Sequence, residues 1–124
     1  MKTLNIEIKT HHQANEEFIE TFKAIKAGKK VTPKKGTYFS SLEAVRNLLT
    51  EKRLELLELI RTQKPFSITT LANLAGRDFK NVHQDLKVLK EYGLVQFSRP
   101  KKVTRGSPRV ISAPYQEINI HAWL

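Results

Sequence analysis

The chain has 124 residues, enough for one cored domain with an appendage and too few for a multidomain enzyme. Lysine and arginine number 22 against 12 acids, a formal net charge of +10, and that balance favours a polyanionic partner, of which nucleic acid is the commonest. Cysteine is missing, which excludes disulfides and thiolate metal sites. The N-terminus carries no apolar signal region and no apolar run is long enough for a bilayer, so the expectation is a cytoplasmic protein without a membrane partner.

Leu4, Ile6 and Ile8 alternate with Asn5 and Glu7, the period of a half-buried strand. A helix is expected from Asn15, opened by Glu16 and Glu17. Its stripe is Phe18, Ile19, Phe22 and Ile25, its last turn holds Lys23 and Lys26, and Gly28 terminates it. The connection KAGKKVTPKKG follows, with no acid between Glu20 and Glu43, and reads as a solvated basic linker or as an arm for a DNA backbone.

Tyr38 and Phe39 predict a brief strand or packing hook. Ser40 and Glu43 have capping-box spacing for a short helix carrying Leu42, Val45, Leu48 and Leu49. Residues 53–63 hold Leu54, Leu56, Leu57, Leu59 and Ile60, too many for a narrow stripe, and predict the central helix. Pro65 ends it. Ser67 is the expected N-cap of the next helix, with Phe66 and Leu71 as a hydrophobic staple.

After the link Gly76-Arg77-Asp78 comes a helix with a clear start and stop. Asp78 is its expected cap, Phe79, Val82, Leu86 and Leu89 its core stripe, and Gly93 followed by Leu94 its Schellman-type end. The opposite face carries Lys80, Gln84 and Lys87, flanked by Arg77, Asn81 and His83, with no acid at its centre before Glu91. Such long donors suit phosphates and base edges; for a helix taken alone a solvated face is the better reading, and the surrounding elements reverse that preference.

Leu94, Val95 and Phe97 predict a strand and residues 109–112 a returning one, joined by an acid-free tip with Lys101, Lys102 and Arg105. Ile118, Ile120, Ala122 and Leu124 alternate with polar neighbours as a terminal strand. We expect it to pair with the first strand, within one chain or across a dimer, since both would otherwise be open edges.

Helix, helix, short helix, tight turn, basic helix, basic hairpin is the order of a winged helix-turn-helix. The fold class expected is α+β, with residues 1–37 as an N-terminal strand, helix and basic linker, 38–113 as the winged domain, and 114–124 as a C-terminal strand available for dimer contact. In that geometry Arg77, Lys80, Asn81, His83, Gln84 and Lys87 face double-stranded DNA, with Lys80, Asn81 and Gln84 as candidates for base readout. Ser67, Thr69 and Thr70 would meet phosphates, as would Lys101, Lys102 and Arg105 of the hairpin.

The stretch SITTLANLAGRDFKNVHQDLKVLKEYGLV resembles the MarR-like group of small predicted transcriptional regulators of archaea and bacteria, in which a GRD-NVH-DLK-L-GLV pattern marks the reading helix. The resemblance is best over residues 39–115, and the N-terminal portion matches in character only. It implies a homodimeric repressor controlling its own operon. Some members of that group look like antitoxin components, so the alternative is an antitoxin whose main partner is a toxin protein. A further alternative is an RNA-binding or architectural protein using the same cations without base readout.

No nucleophile-base motif, phosphate loop or metal-ligand spacing of His11, His12, His83 and His121 is present, so no catalytic residue, no metal ligand and no cofactor is expected. MarR-like folds bind ligands between dimerisation helices and winged domain, but no convergent polar cluster here predicts a sensor pocket. Trp123 reads as packing or dimer contact.

Overall fold

The computed structural model describes residues 2–29, 37–98 and 110–124. The chain is α+β: β1 (Thr3–Ile8), α1 (His11–Lys26), β2 (Thr37–Phe39), α2 (Leu42–Leu48), α3 (Glu51–Gln63), α4 (Ile68–Ala75), α5 (Phe79–Glu91), β3 (Gln96–Ser98), β4 (Val110–Ser112) and β5 (Glu117–Ala122). It divides into two compact units, one of residues 3–46 and 117–124, the other of residues 47–116 with Lys2. Among the described residues no helix is long and apolar enough to cross a membrane.

In the first unit β1 is the middle strand of a parallel sheet ordered β2-β1-β5. The two strands expected to pair do so within one chain, Leu4 beside Ile118 and Ile6 beside Ile120. Parallel neighbours need a crossover, and between β1 and β2 it is α1. In-register pairing puts Leu4, Ile6 and Phe39 on one face of the sheet, where all three are buried. The other face holds Asn5, Glu7, Tyr38, Asn119 and His121.

Lys9, just past β1, is buried and holds two carboxylates, Glu17 of α1 at 2.6 Å and Glu7 at 2.9 Å. These carboxylates raise its pKa above the ordinary lysine value, the hydrogen bond to Glu17 contributing most and the one to Glu7 next, with burial opposing them. His11 Nδ1 meets the Tyr38 hydroxyl at 2.9 Å. Polar pairs therefore join the helix to the sheet.

Helix α1 begins one turn before the expected start. Thr10 and Gln13 form a capping box, Thr10 Oγ1 accepting from the Gln13 amide at 3.1 Å and Gln13 Oε1 from the Thr10 amide at 2.8 Å. That reciprocal cap satisfies two orphan donors, which Glu16 and Glu17 cannot do from inside the helix. Gly28 ends it at φ +79. The cap of α2 is likewise Ser41 rather than Ser40, its Oγ accepting from the Ala44 amide at 3.1 Å.

In the second unit Thr50 caps α3, and Leu56, Leu57 and Ile60 are buried, while Leu54 is exposed. The central helix thus buries one side, less of its circumference than its leucine content suggested. Ser67 caps α4 as expected, accepting from the Thr70 amide at 3.0 Å. Phe66, the expected staple residue, is 63 % exposed, and Leu71 is fully buried. Helix α3 packs on α4 and on β4, and α4 packs on α5. Strands β3 and β4 pair antiparallel, Phe97 opposite Ile111. Leu94 and Val95 precede β3 and are buried.

Candidate nucleic-acid interface

The turn that sets α5 against α4 is built on Gly76. Its φ of +64 is left-handed, and the Arg77 amide reaches back to the Ala72 carbonyl at 3.0 Å, closing a Schellman-type end. Asp78 occupies the N-cap position of α5 with extended backbone, yet its carboxylate makes no capping hydrogen bond. The expected side-chain cap is therefore corrected to a backbone cap position only. At the other end the Gly93 amide bonds the Lys90 carbonyl and the Leu94 amide the Leu89 carbonyl, both at 3.0 Å, and both leucines are buried. Lys90 Nζ lies 5.6 Å from the centroid of the Phe97 ring, bridging the end of α5 to β3.

Val82, Leu86 and Leu89 face inward. Lys80, Asn81, His83, Gln84 and Lys87 are all exposed. The helix therefore offers ammonium, amide and imidazole groups on the side turned from its core, a set able to donate to phosphate oxygens and to purine acceptors. Phe79, expected in the core stripe, is exposed instead and stacks on His83, ring centroids 5.9 Å apart. One turn of helix brings positions 79 and 83 together, so this pair extends the surface face.

Arg77 does not join that face. Its Nη2 donates to Asp85 Oδ2 at 2.7 Å, its side chain is 17 % exposed, and Nη1 is buried without a hydrogen-bond partner among the described residues. Asp85 Oδ1 accepts from Arg53 Nε at 3.1 Å, and Arg53 Nη1 donates to the carbonyls of Asn47 at 2.6 Å and Leu48 at 3.0 Å. One carboxylate thus ties α5 to α3 and to the turn before α5, and through Arg53 to the end of α2. The groove-facing role expected of Arg77 is corrected: Asp85 draws its charge inward.

A signal for this cluster was present in the sequence. Asp85 is the sole acid between Asp78 and Glu91, three residues after buried Val82 and so on the edge of the core stripe, where a carboxylate needs a cationic partner.

Ser67 and Thr70 are half-buried, and their hydroxyls lie 2.9 Å apart, partly committed to the α4 cap; Thr69 is exposed. Lys101, Lys102 and Arg105 lie outside the described residues. Among the described residues no group of histidine and carboxylate side chains could hold a metal ion.

These elements make a small α+β chain with a cation-rich helix face anchored by a carboxylate between two arginines. The chain belongs to the HVO_A0114 family, whose sequence model matches residues 48–120, from the end of α2 into β5. No curated protein and no solved structure matches the chain.

Proposed function

We propose that the protein is a sequence-specific double-stranded DNA-binding regulator of the MarR-like winged helix-turn-helix kind, a dimeric repressor acting on its own operon. The observation that carries this reading is the exposed face of α5. Lys80, Asn81, Gln84 and Lys87 stand on it without a central acid, and buried Val82, Leu86 and Leu89 hold the opposite side. A B-DNA major groove admits one such helix. In this reading α4, the Gly76 turn and α5 are the helix-turn-helix, and the β3-β4 pair is the stem of the wing. Lys80, Asn81 and Gln84 read bases, and Thr69, Lys87, Lys101, Lys102 and Arg105 meet phosphates. Arg77 acts from behind the helix, through Asp85. The net charge of +10 supplies the non-specific attraction.

The test is a titration against the duplex upstream of the protein's own gene and a shuffled duplex, at several salt concentrations. A native duplex bound tighter by a factor of ~1000, with both affinities falling as salt rises, supports sequence reading. Coinciding curves would overturn it and leave a shape-reading or architectural role.

A further inference from the structure

Helix α1 turns its apolar stripe outward. Phe18 is 71 %, Ile19 49 %, Phe22 54 % and Ile25 60 % exposed, and none of the 16 residues of the helix is buried. The four lie within one arc of roughly 120°. The opposite arc is polar: Gln13, Glu16, Glu17 and Glu20 line a cleft with Lys9 and Trp123, and Lys9 holds Glu17 there at 2.6 Å. Ion pairing thus fixes which side of α1 meets the sheet, and that side is the hydrophilic one.

An amphipathic helix of this length draws its stability from covering its apolar face. At roughly 100 Å² each, the four side chains offer ~400 Å² per copy and ~800 Å² per pair, and flanking Asn15, Thr21 and the Lys26 stem bring this towards the ~1,000 Å² at which specific interfaces begin.

We propose that this face is covered by the same face of a second copy, the two α1 helices antiparallel about a twofold axis between Thr21 and Phe22. Charge selects both the partner and its direction. On the border between stripe and cleft Glu16 stands towards the N-terminal end, 2.9 Å from His12 Nε2 and 64 % exposed, and Lys23 and Lys26 stand towards the C-terminal end. An antiparallel copy sets Glu16 beside Lys26 of the second chain and Phe18 beside its Ile25, whereas a parallel copy would place no acid level with Lys26. The same arrangement opposes the helix dipoles, and a twofold axis makes each contact twice. The proposal deepens the dimeric part of the reading above and is independent of its DNA part, so the experiment is run without DNA.

Sedimentation at tens of micromolar should give twice the chain mass, and Phe22→Asp should raise the dissociation constant by about 100-fold or more. Because the chain has no cysteine, single-cysteine variants report the geometry directly. Phe22→Cys should oxidise to a crosslinked dimer with itself. Ile25→Cys should fail alone and crosslink when mixed with Phe18→Cys. A monomeric wild type, a dimer indifferent to Phe22→Asp, or self-crosslinking of Ile25→Cys would overturn the arrangement. So would a monomer that takes up a different protein through Phe22.

Discussion

Arg77 meets Asp85 at 2.7 Å, one residue in the turn before α5 and the other midway along the helix, and the same carboxylate holds Arg53 of α3. Side chains on this cluster are 16 to 17 % exposed. Two guanidinium groups so placed depend on the one carboxylate. The exposed face of α5 is thereby oriented from its buried edge.

Asp85→Ala should lower unfolding stability by about 3 kcal/mol, because it leaves two partly buried cations without a counter-charge. Asp85→Asn keeps an acceptor and should lose about half as much. Urea unfolding of the two variants reads the difference. Equal and negligible losses would show that solvent already screens the cluster.

On the proposed DNA face, Gln84→Ala should relax preference at one base position, at a cost of ~1 to 3 kcal/mol, whereas Lys101→Ala should weaken all duplexes alike and reduce the salt slope by about one. Identical effects of both on native and random DNA would remove Gln84 from base readout.

The two N-caps flanking the turn should respond unequally. Ser67 accepts a hydrogen bond from the Thr70 amide and Asp78 makes no such bond. Ser67→Ala should therefore cost about 1 kcal/mol and Asp78→Ala less than about 0.5 kcal/mol, the latter reflecting charge near a helix start alone. Thermal melts of the pair decide.

Gly76 and Gly93 have open space where a Cβ would stand, but φ values of +64 and +75. Each Gly→Ala change should cost about 1 kcal/mol from backbone conformation without a packing defect. A much larger loss would mean that the new methyl group does meet a neighbour.

Lys9 predicts an alkaline limb. Its pKa is raised in the folded chain by Glu17 first and Glu7 next. The stabilisation is therefore complete below the unfolded lysine value of about 10.4 and is lost as pH rises through the higher folded value. Lys9→Met should be less stable than wild type near neutral pH and should close the gap as pH rises through the raised folded value. Urea midpoints across that range test the sign, and parallel curves would contradict it.

Much of this molecule was legible before any fold was known. Val82, Leu86 and Leu89 recur at 3.6-residue spacing, and Gly93 stops their helix with the hydrogen bonds its position promised. Alternation in residues 4–8 and 118–124 marked two strands that had to find partners, the second ending at Ala122. Local rules failed where two caps competed: Ser41 displaced Ser40, and Thr10 with Gln13 started α1 earlier than its acids suggested. A capping hydrogen bond depends on the backbone angle at one residue, which composition does not specify.

Periodicity and charge, being properties of neighbours a few residues apart, were enough to mark α5 as a helix with one apolar and one cationic side. Tertiary structure alone decided that Arg77 belongs to Asp85, that β1 and β5 run parallel within one chain, and that α1 shows its phenylalanines outward. Those outcomes join residues on different elements, Arg53 with Asp85 32 positions on and Lys9 with Glu17 eight positions on among them. A hydrophobic pattern states that a face needs covering, and only the folded arrangement of charges states which face is covered from within the chain.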